Sequence, residues 1–141
     1  VIGYDSNKKL VNKLNIKKIK FTESNLNKYL YKNKKRIKIT NNIDYAINNS
    51  DATILILPTP SKRNNEFDLF FTELLSYKIG RLLINKKKYH LVIISSTVMP
   101  GDMNKLSNIF FNKLKINQNM LGLCYSPQFI ALGSVIVIVS K

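Results

Sequence analysis

The segment "ILILPTP", residues 54–60, ends a run of apolar residues with a threonine between two prolines. A continuous apolar run of this length is typical of a strand that a parallel sheet buries on both faces. Proline fixes φ and donates no hydrogen bond, so Pro58 and Pro60 would end the strand and hold Thr59 in an extended loop. Such a loop either terminates the strand or lies as a rigid support under a flat ligand.

Segments typical of strands and of helices alternate along the rest of the chain. The predicted strands are "VIGYD" (1–5), "RIKIT" (36–40), "ATILILP" (52–58), "HLVIISS" (90–96) and "LGLCYSP" (121–127). Apolar residues at helical spacing lie between them, most extensively from Leu69 to about Asn85. Ser6 and the pair Asn41-Asn42 are placed to cap two of these helices. This alternation predicts an α/β fold with a largely parallel sheet.

The chain is strongly basic, with a net charge of +15 over 141 residues and a pI near 10.0. Such a charge is compatible with a nucleic-acid-binding module. The lysines, however, are scattered among Asn and Ile, and all three residue types are encoded by A/T-rich codons. Aromatic residues do not cluster with the basic runs, and arginine occurs only at positions 36, 63 and 81. Composition bias therefore explains the charge better than nucleic-acid binding does.

The chain has the size of one domain and shows no membrane signal. No stretch reaches 18 apolar residues, and no basic segment followed by an apolar run opens the chain. Cys124 is the only cysteine, which fits a reducing compartment, and we expect a cytoplasmic protein. Because Cys124 lies inside an apolar strand, we expect it in the core.

Four predicted strands end in residues suited to a ligand site. These ends carry Asp5, then Pro58-Thr59-Pro60, then Ser95-Ser96-Thr97, and finally Ser126-Pro127-Gln128. The carboxyl ends of parallel strands line one edge of a sheet, where ligands bind. We therefore expect Asp5, Thr59 and Thr97 to converge on one cleft.

Each of these positions also has a purely structural interpretation. Asp5 could accept hydrogen bonds from ribose hydroxyls, or it could cap the helix that follows or interact with its dipole. The stretch "SSTVMPGD" (95–102) could present the Thr97 hydroxyl and helix N–H groups to an anion, or it could be an ordinary capped helix start. His90, the only histidine, lies at the start of its predicted strand, at the opposite edge from the cleft, and is expected to be structural or solvated. The sequence contains no cluster of cysteine and histidine residues that would indicate a metal site.

Taken together, several segments resemble the NAD-binding domain of the UDP-glucose/GDP-mannose (nucleotide-sugar) 6-dehydrogenase family. They are "GYDSNKKLVNKLN", "FTESNLNKYL", "IKITNNIDYAINNSDATILILPTP", "IISSTVMPGD" and "YSPQFIALGSVI", in the family's order from Val1 to about Ile136. The resemblance implies a Rossmann-type, doubly wound, largely parallel sheet. It also implies NAD as cofactor, a UDP- or GDP-linked sugar as substrate, and oxidation of the sugar C6 alcohol to a carboxylate. A homo-oligomer is expected for the full-length enzyme, with neither nucleic acid nor membrane as partner.

The resemblance assigns roles to matching residues. Asp5 would hold the adenosine ribose, and Pro58 and Thr59 would lie along the cofactor. Thr97 would approach the nicotinamide and a catalytic water, with Gln128 as a second candidate catalytic residue. The loop that borders the sugar would contain Gln128, Phe129, Ile130 and Leu132.

This sequence departs from the family pattern at several places. The family begins one strand earlier, with a Gly-x-Gly-x-x-Gly turn, so we expect a sheet truncated at its first strand, a partial domain over 1–136 and a tail over 137–141. Gln128 and Leu132 stand where glutamates are frequent, and an amide cannot ionise. The family's nucleophilic cysteine belongs to a later domain and does not match Cys124. We therefore expect this chain alone not to complete the reaction; another NAD-dependent dehydrogenase of the 3-hydroxyacid type is the alternative enzyme.

Overall fold

A computed structural model describes residues 1–15, 21–23, 25–63 and 66–128. Their backbone belongs to two compact units, Val1–Ala46 and Ile47–Gln128. The substrate-loop residues Phe129, Ile130 and Leu132 and the predicted tail lie outside the described residues. Within the described ranges, no helix combines the length and the apolar character needed to cross a bilayer.

The first unit contains a parallel strand pair. Its elements are β1 (Ile2–Tyr4), α1 (Lys8–Asn15), α2 (Leu26–Lys32), a short 3-10 turn (Lys34–Arg36) and β2 (Lys38–Thr40), after which α3 (Ile43–Asn48) leads into the second unit. β1 and β2 pair with Gly3 opposite Ile39. α1 packs on β2, where the Asn15 side chain donates to the Ile39 carbonyl at 3.2 Å.

Two predicted helix caps have different outcomes. The Asn42 Oδ1 atom accepts the Tyr45 N–H at 2.9 Å, which confirms Asn42 as the cap of α3. The prediction of Ser6 as the cap of α1 is wrong, because Asn7 Oδ1 accepts the Leu10 N–H at 3.1 Å. The Asn7 amide itself donates to Asp5 Oδ1, and this turn places Asn7, one residue later than predicted, at the helix start.

The second unit is a three-stranded parallel sheet with helices on it. It comprises β3 (Ala52–Leu55), α4 (Phe70–Leu83), β4 (His90–Ile94), α5 (Asp102–Asn108), a π-helical turn (Ile109–Lys113) and β5 (Leu121–Tyr125). The strand order is β3-β4-β5, with every pairing parallel. This confirms the predicted α/β class. The core lies on one face of the sheet and includes Leu55, Leu69, Ile79, Leu83, Val92, Ile94, Leu106, Ile109, Phe110 and Leu121.

Close packing of α4 against the π-helical turn completes this core. Phe110 is fully buried, and a Cβ atom added to Gly80 would lie 3.2 Å from the Phe110 ring. The wide turn closes with the Leu114 N–H donating to the Ile109 carbonyl at 3.0 Å. A residue larger than glycine at position 80 would therefore have to displace its neighbours on the wide turn.

Two burial predictions are wrong. β3 was expected to be covered on both faces, but Ile54 and Ile56 are 58% and 75% exposed, and only Leu55 is buried. Among the described strands β3 pairs only with β4, so it forms an edge of the sheet, and the face that carries Ile54 is largely uncovered. Cys124 is exposed rather than in the core, because it lies near the end of β5, the opposite edge strand.

Candidate functional site

The three strands of the second unit end side by side. Their register places Leu55, Ile94 and Tyr125 next to one another. Backbone hydrogen bonds continue past these ends, from the Ser95 N–H to the Leu55 carbonyl and from the Ser126 N–H to the Ile94 carbonyl, both at 2.9 Å. The loops that carry Thr59, Thr97 and Gln128 therefore leave the same edge of the sheet, as the sequence predicted for this unit.

Two serines connect these loops. Ser96 is buried, and its hydroxyl accepts the Leu57 N–H at 2.7 Å. The neighbouring Ser95 hydroxyl donates to the Ser126 carbonyl at 2.8 Å. The segment after β4 is thus tied to the segments after both flanking strands. The sequence marked these serines as small strand-end residues, but their spacing gave no sign of their partners.

The loop at Thr59 is held at both ends. Leu57, before it, is tied to Ser96, and the Pro60 carbonyl, after it, accepts the Asp68 N–H at 2.8 Å. Thr59 is half-buried between them, and Pro58 is exposed. Because prolines flank Thr59 and hydrogen bonds anchor both sides of it, this loop loses little conformational entropy on binding a ligand.

Thr97 and Gln128 are both exposed at this edge. Thr97 directly follows the anchored Ser96, and its side chain faces solvent. The Gln128 amide donates to the Ser126 hydroxyl at 3.4 Å, a long hydrogen bond, and among the described residues its amide oxygen has no donor. Both side chains can therefore make polar contacts with a ligand without first breaking a strong internal bond.

Helix α5 begins at Asp102 without a side-chain cap on Gly101, so the Asp102 carboxylate is the charged group at this helix start. Asp102 is buried, and its carboxylate accepts the Met99 N–H at 2.9 Å and the Lys105 ammonium at 2.8 Å. Burial would raise the Asp102 pKa, but the hydrogen bonds from Lys105 and Met99 outweigh it and hold the pKa below its usual value. The negative charge of Asp102 thus occupies this helix end, which favours the structural interpretation of "SSTVMPGD".

Asp5 ends β1 in the first unit. Its N–H donates to the Thr40 carbonyl at 3.2 Å, and its Oδ1 atom accepts the Asn7 N–H at 2.7 Å. Asn7 caps α1, so the interpretation of Asp5 as that cap does not hold. Among the described residues the second carboxylate oxygen of Asp5 makes no hydrogen bond, and a ligand hydroxyl could donate to it.

The convergence of Asp5 with Thr59 and Thr97 stays a prediction. Asp5 belongs to the first unit, whereas the two threonines belong to the second. The roles assigned to Phe129, Ile130 and Leu132 also stay predictions, because these residues lie outside the described ranges. In the part of the chain that the structure describes, no group of three His, Cys, Asp or Glu side chains could hold a metal ion.

A second polar cluster lies at the amino-terminal end of β4 and was not predicted. His90 is buried; its Nε2 atom lies 2.8 Å from the Thr53 hydroxyl, and its Nδ1 atom lies 2.9 Å from the Lys86 ammonium. The ammonium has only donors, so Nδ1 accepts and Nε2 carries the ring proton. Lys86 also donates to the carbonyl of Ile47 in the last turn of α3, at 2.7 Å, and to that of Ser50 just after the helix.

The electrostatics of this cluster are those of a structural histidine. Burial, and secondarily the Lys86 charge, lower the pKa of His90 to about 4. Burial also lowers the Lys86 pKa. We expected His90 to be structural or solvated, and its buried, hydrogen-bonded ring favours the structural interpretation. No pattern in the sequence indicated Lys86, because its partners are mostly backbone carbonyls.

Comparison with known proteins gives consistent matches. The family model for "UDP-glucose/GDP-mannose dehydrogenase family, NAD binding domain" matches residues 1–139. GDP-mannose 6-dehydrogenase of Pseudomonas aeruginosa is 30% identical over 108 residues, which is 75% of this chain. UDP-glucose 6-dehydrogenase of Rickettsia typhi is 29% identical over 138 residues, which is 96% of this chain.

A solved structure extends the match to the backbone. The crystal structure of a ternary complex of GDP-mannose dehydrogenase from P. aeruginosa superposes with a TM-score of 0.88 at 26% identity and covers 99% of this chain. This confirms the predicted Rossmann-type fold. The chain spans 25% to 30% of the length of these two curated relatives and 33% of that solved chain.

Proposed function

Since the chain belongs to the UDP-glucose/GDP-mannose dehydrogenase family through its NAD-binding domain, we propose that it holds NAD at the edge of the sheet where β3, β4 and β5 end, hereafter the strand-end edge. The bound cofactor would serve the oxidation of a UDP- or GDP-linked sugar at C6. NAD is the cofactor of this family. The observation that carries the proposal is the Pro58–Thr59–Pro60 loop, which hydrogen bonds to Ser96 and Asp68 anchor beside the end of β4.

The chain's own residues would bind and orient the cofactor. The second carboxylate oxygen of Asp5 accepts a hydrogen bond from an adenosine ribose hydroxyl, and its charge disfavours a 2′-phosphate at that position. Thr59 lies along the cofactor in a loop that needs no reordering. Thr97 directs its exposed hydroxyl toward the nicotinamide and a water molecule. Bound NAD supplies the hydride acceptor, and the residues above determine where it lies.

Gln128 limits what this chain contributes to proton transfer. Its amide can donate to a sugar hydroxyl and accept from one, but it cannot take up a proton at neutral pH. We assign Gln128 to orientation of the sugar, together with Phe129, Ile130 and Leu132 on the same loop. Turnover, the choice of sugar and assembly into a homo-oligomer are properties we propose for a protein of the relatives' full length.

The preference for NAD over NADP tests the role of Asp5. Saturation-transfer NMR on the purified chain should show NAD binding more tightly than NADP. Asp5→Asn should reduce this preference by about tenfold, because it removes both a charge-assisted hydrogen bond and the repulsion of the 2′-phosphate. Asp44→Asn, which changes an acidic residue in the first turn of α3, is the matched control and should leave the preference unchanged.

Two outcomes would contradict the proposal. If neither dinucleotide binds to the folded chain, the strand-end edge is not a cofactor site in this protein. If Asp5→Asn binds both dinucleotides with the wild-type ratio, Asp5 does not contact the ribose. Separately, we expect no steady change in nicotinamide absorbance when the chain is mixed with NAD and UDP-glucose or GDP-mannose; turnover by this chain alone would refute that expectation.

A further inference from the structure

A basic surface extends from α2 to β2 in the first unit, hereafter the α2–β2 surface. Its cationic side chains are all exposed, namely Lys28, Lys32, Lys34, Lys35, Arg36 and Lys38. The sequence between residues 24 and 43 contains no Asp or Glu. Among the described residues, no carboxylate lies within ion-pair distance of these cations. The fold therefore leaves their charge unneutralised, which suits an anionic partner.

Two tyrosines lie against these cations. The Lys34 ammonium is 4.6 Å from the centroid of the Tyr31 ring. The Lys38 ammonium is 5.4 Å from the centroid of the Tyr45 ring and donates a hydrogen bond of 2.8 Å to its hydroxyl. Both distances are typical of cation–π contacts. Aromatic residues therefore do accompany the basic runs in this part of the fold, contrary to the interpretation of the sequence.

Tyr31 makes no contribution to the core. It is 68% exposed, and none of the residues of α2 is buried. Tyr31 and Lys32 come three and four positions after Lys28, so these three side chains share one side of the helix. An exposed ring beside several cations can stack on a flat ring of a ligand while the ammonium groups bind its negative charges.

A shallow groove shares Lys38 and Tyr45 with this surface. Its other lining residues are Asn15, Ile37, Ile39, Thr40 and Asn42. One amide atom of each asparagine is used, because the Asn15 amide donates to the Ile39 carbonyl and Asn42 Oδ1 caps α3. Among the described residues, Asn15 Oδ1 and Asn42 Nδ2 have no partner. The groove therefore offers an acceptor and a donor to the edge of a flat polar ring.

We propose that the α2–β2 surface binds single-stranded nucleic acid, with bases stacked on Tyr31 and Tyr45 and phosphates held by the surrounding cations. Every base has a flat face and every nucleotide a phosphate, so such binding tolerates any sequence. Lys34 and Lys38 are four residues apart, so their Cα atoms are at most about 14 Å apart. A few nucleotides of one strand can therefore contact both tyrosines.

The exposed tyrosines favour a single strand over two other polyanions. A duplex hides the faces of its bases, so the tyrosine rings would gain no stacking contact. A bilayer surface is bound through large apolar side chains that insert between the lipids, and the exposed side chains of the α2–β2 surface are polar or tyrosine. Tyr31, Lys34, Lys38 and Tyr45 have no role in the proposed NAD site. Binding is measured without NAD and does not test that site.

Fluorescence anisotropy of a labelled oligothymidine titrated with the chain tests the proposal. The logarithm of the dissociation constant should rise with that of the salt concentration with a slope of about 2–4, as expected for three to six phosphate contacts on a single strand. Labelled oligouridine should bind equally, because neither stacking nor phosphate contact reads the 2′-hydroxyl.

A tyrosine variant tests stacking. Tyr31→Ala should weaken binding by about tenfold and leave the salt slope unchanged, because it removes a base contact and no charge. Tyr77→Ala removes an exposed tyrosine from the second unit and is the matched control. Equal affinity of Tyr31→Ala and the wild type would overturn the proposal, because the tyrosine would then have no stacking role.

A double lysine variant tests the place of the phosphate contacts. Lys32→Gln with Lys35→Gln should lower the salt slope by about 1.4, which is about 0.7 for each lost contact. Lys87→Gln with Lys88→Gln removes the same charge from exposed positions in the second unit and should leave the slope unchanged. Equal effects of the two double variants would overturn the proposal, because the net charge of +15 alone would then attract the strand.

A vesicle arm separates nucleic acid from a lipid surface. Vesicles of anionic phospholipid should bind the chain without dependence on Tyr31. A chain that does not bind oligothymidine at about 0.15 M salt but binds these vesicles through Lys32 and Lys35 would overturn the proposal in favour of a membrane surface. Failure to bind either probe at that salt concentration would overturn it as well.

Discussion

Mild acid should destabilise the second unit through its single histidine. His90 keeps a pKa of about 4, whereas an unfolded histidine titrates near 6.5. Between these two values the unfolded chain binds a proton that the folded chain does not, so the free energy of unfolding falls as the pH falls, by about 1.4 kcal/mol per pH unit. The loss relative to neutral pH reaches about 2–3 kcal/mol at about pH 4.5.

The assay compares the wild-type chain with His90→Gln in urea unfolding at about pH 7 and about pH 4.5. The Asp102 carboxylate, whose pKa lies below its usual value, stays ionised in this range, and any carboxylate that begins to protonate does so in both proteins. The difference in pH dependence between the two proteins therefore reports His90 alone. Glutamine keeps a donor and an acceptor on the side chain but has no proton to gain in this range.

Two results would refute this account of His90. Because the chain has one histidine, its ring resonance is unambiguous in proton NMR, and a measured pKa near 6.5 would mean that the ring is hydrated or mobile. Equal acid sensitivity of His90→Gln and the wild type would also contradict it. In addition, Lys86→Met should raise the His90 pKa, since it removes the cation 2.9 Å from Nδ1.

Two further substitutions test the strand-end edge and the edge of the sheet. Ser96→Ala should lower the free energy of unfolding by about 1–3 kcal/mol, because the Leu57 N–H loses its acceptor. Urea unfolding measures this change, with Ser61→Ala at an exposed position as the control. Equal stability of the two variants would contradict the anchoring role of Ser96. Ile56→Lys should change stability by less than about 0.5 kcal/mol and slow aggregation in light scattering, because Ile56 is exposed directly after the edge strand β3. Unchanged aggregation would show that molecules do not associate through this edge of the sheet.

The sequence predicted the order and type of the elements because apolar periodicity is a local property. The stretch from Leu69 to about Asn85 contains α4, and the apolar run that includes Ile54 forms β3, which ends at Leu55. Periodicity does not say which neighbours cover a strand, and for this reason the burial of Ile54 and Cys124 was predicted wrongly. A fully apolar strand at a sheet edge has the same pattern as one at the centre.

The candidate site was predicted only at the level of strand ends. The shared edge of Thr59, Thr97 and Gln128 follows from parallel topology, which the alternation of strands and helices indicates. The hydrogen bonds that fix this edge join the Ser95 and Ser96 hydroxyls to backbone groups distant in sequence, or join two backbone groups across a loop, as the Asp68 N–H and the Pro60 carbonyl do. Neither kind of hydrogen bond produces a regular spacing of residue types that could be recognised in the sequence.

The π-helical turn at Ile109–Lys113 determines how the side chains of the preceding helix α5 are oriented about the helix axis. Such a turn holds one residue more than an α-helix would over the same rise. Deleting one residue there would regularise the helix but swing the preceding side chains around its axis by about a quarter turn or more. Asp102 and Leu106 would then leave the protein interior while Phe110 lost its place against Gly80. The length of this segment is therefore constrained more tightly than its residue types.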